Sequence, residues 1–136
     1  KMSKSDPSDL SRINLTDEKD EIFNKIKKAK TDPMPMPTDV KDLDERPEAE
    51  NLLGIYSSLR NQKLEDSVNE FNRKQFSEFK EKLSEALIEK IEPISKEIKK
   101  LLNDKRYLDE ILLKGSEKAD QIASKKIKEI KKLVGF

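Results

Sequence analysis

Two lysines three residues apart open the chain, in the run Lys1-Met2-Ser3-Lys4-Ser5, with Asp6 and Pro7 directly behind them. Ammonium groups on long stems, spaced by small side chains, suit phosphate: each can follow negative charge as it builds on a triphosphate. Such contacts accelerate a reaction only where they are stronger in the transition state than before it, and a loop that closes late can supply that difference. Lys and Ser are abundant, at 24 and 12 of 136 residues, and a lysine-rich terminus usually carries no function. With only three Met in the chain, composition alone would produce this pentamer somewhere with a chance of roughly one in a thousand. Lys1 and Lys4 are therefore the candidate phosphate-handling residues, within the candidate functional segment Lys1, Met2, Ser3, Lys4 and Ser5.

The rest of the composition removes most other chemistry. Histidine and cysteine are both absent, so imidazole bases, thiolate nucleophiles, disulfides and the commonest soft-metal ligands are excluded. The acidic run Asp39, Asp42, Asp44, Glu45, Glu48, Glu50 lacks the glycine-centred spacing of a calcium loop and reads as a solvated acidic surface; no metal site is expected. Lysine and arginine number 29 against 28 acidic residues, a net charge of +1, so any pull toward nucleic acid is local. Candidate basic surfaces are Lys25, Lys27, Lys28 and Lys30, and a second set at Lys125, Lys126, Lys128, Lys131 and Lys132. A solvated helix face is the plainer reading of both. No apolar run is long enough to cross a bilayer, and the first residues do not form a signal peptide.

The elements that must position the first segment are helical. Charged residues make up 42% of the chain and hydrophobic ones 33%, with Leu, Ile, Lys and Glu dominant, which predicts an all-α fold around a thin core. A loop over residues 1 to 15 leads to a helix from Asp17 to Lys30, capped by Thr16 or Asp17 and apolar at Ile22, Ile26 and Ala29. Pro33, Pro35 and Pro37 force an irregular connection. Two further helices are expected over about 47 to 60, with Pro47 at its start, and over about 64 to 72. A long helix from about 77 to 102 carries an apolar stripe from Phe79 to Leu101 and continues through Pro93 with a kink. Asn103-Asp104 should end it and cap a short helix over 105 to 114, burying Tyr107, Leu108, Ile111 and Leu112; Gly115 closes that helix and Ser116 opens a last one. The expected architecture is a compact antiparallel bundle of about six helices behind a flexible loop. Tyr56, Phe71, Phe76, Phe79 and Tyr107 sit in helical register, so core packing is the stronger reading for most of them than stacking on bases.

The opening pentamer resembles the second signature of class I aminoacyl-tRNA synthetases. Later segments resemble the bacterial tryptophanyl family in order and spacing: Ala29-Lys30-Thr31-Asp32 closing a lysine-rich helix, Arg46-Pro47 through Leu59 reading RPEAENLLGIYSSL, Tyr107-Leu108-Asp109-Glu110, and Gly115-Ser116-Glu117-Lys118-Ala119. Tyrosyl enzymes share the loop but fit these segments poorly. In one place the chain departs from the family, with Asn72-Arg73-Lys74-Gln75-Phe76 where a glycine-containing turn is expected. The resemblance implies that Lys1 and Lys4 contact ATP phosphates as tryptophanyl-adenylate forms, Lys4 foremost, while backbone around Met2 and Ser3 approaches the nucleotide and Ser5 shapes the loop. It implies residues 1–15 as signature loop and connection from an upstream Rossmann domain, and residues 16–136 as the helical domain on the anticodon side. It further implies ATP with Mg2+, tryptophan and tRNA(Trp) as the longer enzyme's substrates, a cytoplasmic homodimer paired through the upstream domain, and a chain inactive alone. Two readings compete: a stand-alone helical RNA-binding or interaction module, and an elongated coiled coil, whose heptads the links at Asn103-Asp104 and Gly115-Ser116 would interrupt.

Overall fold

A computed structural model describes residues 6–135. Among them every regular element is helical: α1 (Lys19–Lys28), α2 (Pro47–Arg60), α3 (Leu64–Glu70), α4 (Phe76–Asn103) and α5 (Lys105–Val134), with 3-10 turns at Asp9–Ser11 and Val40–Glu45. The all-α expectation holds. The chain divides into two units, residues 1–96 and 97–136, each described by itself.

In the first unit the helix ends follow local chemistry. α1 is two residues shorter at each end than the expected Asp17 to Lys30, and neither Thr16 nor Asp17 caps it: Glu18 is the N-cap, and the Glu21 carboxylate accepts the Glu18 N–H at 2.8 Å in a capping box. Asp20 and Glu21 occupy its first turn and Lys25, Lys27 and Lys28 its last, matching the helix dipole. α2 has Pro47 at its first position, where the missing N–H has no partner to lose, and ends on Asn61 in the left-handed conformation at φ 54°. The Asn72–Phe76 turn, where a glycine is expected, is made with Arg73 in the same region at φ 58°. Arginine thus takes up a conformation that glycine adopts freely, at a cost on the order of 1–2 kcal/mol.

The core lies where Tyr56 of α2, Phe71 at the C-terminal cap of α3 and Phe79 of α4 meet, each 4% exposed or less. Their rings meet edge to face, with centroids 5.0 Å apart for Tyr56 and Phe71, 4.8 Å for Phe71 and Phe79, and 5.9 Å for Tyr56 and Phe79. Such pairs contribute about 0.5–1.5 kcal/mol each beyond area burial. Phe76 is also buried, so of the five aromatic residues in helical register four are core; Tyr107 is 48% exposed. The Pro-rich connection is drawn into this core rather than left outside it. Met36 is 2% exposed and its N–H donates to the Lys74 carbonyl at 2.8 Å.

α4 runs through Pro93 without ending there. Its buried stripe is Phe79, Leu83, Leu87 and Ile91, after which Ser95 is buried and Ile94 is 44% exposed.

The second unit corrects two expectations. Asp104 does cap α5, its carboxylate accepting the Tyr107 N–H at 3.0 Å. Gly115 and Ser116, however, do not interrupt the helix, which continues to Val134 and closes on Gly135 at φ 86°. Gly115 has an ordinary helical backbone, and a Cβ placed there would meet nothing within 4 Å. Glycine inside a helix costs about 1 kcal/mol relative to alanine, whereas ending there would leave four carbonyls and four N–H groups unpaired between strong helix formers on both sides. α5 also buries no side chain, so Tyr107, Ile111 and Leu112, expected in a core, are 48, 45 and 67% exposed, and Leu108 is only half-buried.

Candidate functional site

Lys1, Met2, Ser3, Lys4 and Ser5 lie outside the described residues, so the site is built from the segment behind them, starting at Asp6. Asp6 turns the chain: its carboxylate accepts the Ser8 N–H at 2.7 Å, and its carbonyl accepts from the Arg12 guanidinium at 3.0 Å. Ser8 caps the short 3-10 turn, its hydroxyl accepting the Leu10 N–H at 3.3 Å. This is the behaviour expected of Asp and Ser beside Pro7, where short polar side chains compete for backbone donors.

Asp9, the first residue of that turn, ties the segment to α1. The Lys25 ammonium lies 2.6 Å from Asp9 Oδ2 and 2.6 Å from Asp17 Oδ2. Arg12 pairs with Asp9 at 3.0 Å, and the Asn14 amide donates to Asp9 at 3.1 Å and to Asp17 at 3.1 Å. The Asn14 N–H donates to Asp17 Oδ2 at 2.9 Å. Lys25 and Asp17 are 7 and 6% exposed, while Asp9 is half exposed.

Electrostatics match the geometry. Hydrogen bonding from Lys25, then Asn14, holds the Asp9 carboxyl below its ordinary range. Burial pushes Asp17 up, but the Lys25 ammonium and the Asn14 donors outweigh it and the carboxyl lies low. Burial pushes Lys25 down, and its two carboxylates overcome this and raise it. All three groups are therefore charged across the neutral range.

By sequence Lys25 belongs with the candidate phosphate-neutralising surface lysines; the structure removes it from that group. A signal is present in the chain: it lies three residues after Ile22 and four before Ala29, a single cation within the apolar face of α1. Lys30 is exposed and pairs with Glu48 at 2.9 Å. Lys27 and Lys28 are exposed, as are Lys125, Lys126, Lys128, Lys131 and Lys132, with Lys126 held to Glu129 at 2.8 Å. The acidic run near residue 42 is used locally: the Asp42 carboxylate accepts the N–H groups of Thr38 and Asp39, both at 3.0 Å, which hold its pKa low. No group of three or more potential metal ligands occurs among the described residues.

Two further supports leave no mark that sequence reasoning finds. Arg46 binds Asp32 through both ends of its guanidinium, at 2.9 and 2.8 Å, and stacks over the Phe76 ring at 5.6 Å. Lys80 reaches from α4 to the open end of α1, donating to the Ala29 carbonyl at 2.6 Å and the Lys27 carbonyl at 3.3 Å. Both residues of the first pair stand in segments that carry the family resemblance, but fourteen residues of separation conceal their contact. Around the second, burial lowers the Lys80 pKa.

Comparison with known proteins bears on what this scaffold serves. The family model described as tRNA synthetases class I (W and Y) matches residues 1–92. Across all 136 residues the chain is 50% identical to the tryptophan–tRNA ligase of Agrobacterium fabrum, covering 38% of that protein. It is 47% identical over its full length to the ligase of the same name from Caulobacter vibrioides, covering 40%, and 49% identical to that of Rickettsia felis, covering 41%. The chain thus spans about two fifths of the length of these curated relatives.

Proposed function

This chain belongs to the class I tRNA synthetases of the W and Y family, and from that membership we propose that it forms part of a tryptophan–tRNA ligase. The observation that carries the choice of amino acid is identity of 47 to 50% along the whole chain to proteins bearing that name. In the reaction proposed, a tryptophan carboxylate oxygen attacks the α-phosphorus of ATP. The bond to the bridging oxygen breaks and pyrophosphate leaves with the electron pair. The adenylate then gives its tryptophanyl group to a terminal hydroxyl of tRNA(Trp), releasing AMP.

Within that scheme Lys4, with Lys1, stabilises charge on the leaving phosphates, backbone at Met2 and Ser3 lies along the nucleotide, and Ser5 shapes the loop. Two ammonium groups on adaptable stems suit charge that grows as the bridging bond lengthens. Residues 1–15 are proposed as signature loop and connection, and 16–136 as the helical domain on the tRNA anticodon side. Magnesium enters with ATP, and its ligands are expected outside the described residues. Homodimerisation through a preceding nucleotide-binding domain and a cytoplasmic location, where tRNA charging is used, complete the proposal. No helix among the described residues is long and apolar enough to cross a membrane.

Amino-acid-dependent exchange of pyrophosphate into ATP, measured on the longer polypeptide that contains this chain, tests the proposal. Exchange driven by tryptophan and not by tyrosine is expected. Exchange driven by tyrosine, or by neither, overturns it.

A further inference from the structure

The ion cluster of Asp9, Arg12, Asp17 and Lys25 joins α1 to the backbone that leads directly into the signature segment. We propose that Lys25 and Asp9 are positioning residues for Lys4, fixing where the phosphate-handling segment leaves the helical unit; this rests on the proposed function.

Four observations carry it. First, Lys25 is not itself available to phosphate: it is 7% exposed, and two carboxylates lie 2.6 Å from its ammonium. Its charge is directed inward, toward two residues that precede its own helix. Second, those carboxylates differ in kind. Asp17 is buried beside α1, whereas Asp9 is half exposed and belongs to the 3-10 turn Asp9–Ser11. Lys25 therefore joins a fixed point to a surface segment. Third, that segment is held again one step closer to the signature, where Arg12 pairs with Asp9 at 3.0 Å and donates to the Asp6 carbonyl at 3.0 Å. The chain is gripped on the residue adjoining Ser5. Fourth, Asp9 lies only five positions after Lys4, at most about 18 Å of extended chain. A shift of Asp9 is passed along a short tether.

The energetic logic is that of orientation. A lysine that acts in the transition state contributes only when its ammonium reaches the developing charge, and a displacement of about 1 Å far from the chemistry can lower a rate about a hundredfold. Asp9 gives the means to separate this role from folding. Truncating it leaves the buried Lys25–Asp17 pair intact and removes the half-exposed contacts of the turn with Lys25, Arg12 and Asn14.

The test uses the longer polypeptide, with tryptophan-dependent pyrophosphate exchange measured for wild type, Lys4→Ala, Asp9→Ala, Lys25→Arg and Asp9→Ala/Lys25→Met. The Asp9→Ala variant should lose about tenfold in kcat, with the KM for tryptophan and the Tm unchanged. Amide hydrogen exchange at Ser11 and Arg12 should quicken. Lys25→Arg, which keeps a cation on both carboxylates, should retain most of the wild-type kcat. The double variant should lose no more kcat than Asp9→Ala alone, as members of one unit do. A kcat for Asp9→Ala within about twofold of wild type, with Lys4→Ala inactive, overturns the positioning role and leaves the proposed function standing. A fall in kcat matched by a fall in Tm also overturns it, since it assigns Asp9 to folding. Wild type without tryptophan-dependent exchange overturns the proposed function itself.

Discussion

Replacing Lys25 with methionine keeps the length of the side chain and removes only its charge, leaving Asp17 as a carboxylate that is 6% exposed without its cation. Breaking one side of a buried ion pair costs about 3–5 kcal/mol. Here Asp17 retains the Asn14 N–H at 2.9 Å and the Asn14 amide at 3.1 Å, and half-exposed Asp9 regains water. These lower the expected loss to about 2–4 kcal/mol. Equilibrium urea unfolding followed by far-ultraviolet circular dichroism reads this as a midpoint lowered by roughly 1–2 M. Adding Asp17→Asn to Lys25→Met should restore a large part of the loss, because the buried charge is removed with its partner. A loss below about 0.5 kcal/mol, or strictly additive effects of the two substitutions, would refute the burial of a paired Lys25 ammonium against Asp17.

Acid should unfasten the same cluster. Asp17 has its carboxyl pKa held below the ordinary 3.8, so its contribution to stability is full above that value and disappears as pH falls through the lowered one. Lys25, raised above 10.5, contributes fully below that pH and loses its share only in strong base; Asp17→Asn should therefore flatten the acid limb of a stability profile and leave the region from about pH 6 to 8 level. Gly115→Ala should raise the helicity and stability of α5 by about 1 kcal/mol, since no atom obstructs the new Cβ; a loss would mean that Gly115 sits in a helix-ending conformation. Phe79→Ala, at 0% exposure, should cost about 3–5 kcal/mol, against less than about 0.5 for Leu112→Ala at 67% exposure. Equal losses in thermal unfolding would contradict the placement of the core in the first unit.

Local rules make much of this fold legible. Pro47 and the apolar spacing behind it fix α2 to the residue, because both its start and its buried face depend on neighbours in sequence. Asp104 is recognisable as a cap for the same reason. Gly115 misleads because glycine is compatible with a helix interior and with a helix end, and the difference depends on whether the flanking turns find other partners. Lys25 misleads because a lysine's usual place is in water; its apolar register argues otherwise, but Asp9 and Asp17 reach it only when the turn folds back over α1. The pairing of Asp32 with Arg46 spans the Pro-rich connection and leaves no periodic trace. The signature residues themselves are identified through residue type and spacing, and their assignment rests on chemistry and family membership, since they lie outside the described residues.

The central claim, that Lys4 handles phosphate in tryptophan activation, is tested most directly by single-turnover formation of tryptophanyl-adenylate in the longer polypeptide with Lys4→Ala. The account predicts a rate lowered by about a hundredfold or more, on the order of 3 kcal/mol of transition-state stabilisation, with tryptophan affinity unchanged. Adenylate formation at the wild-type rate would contradict it.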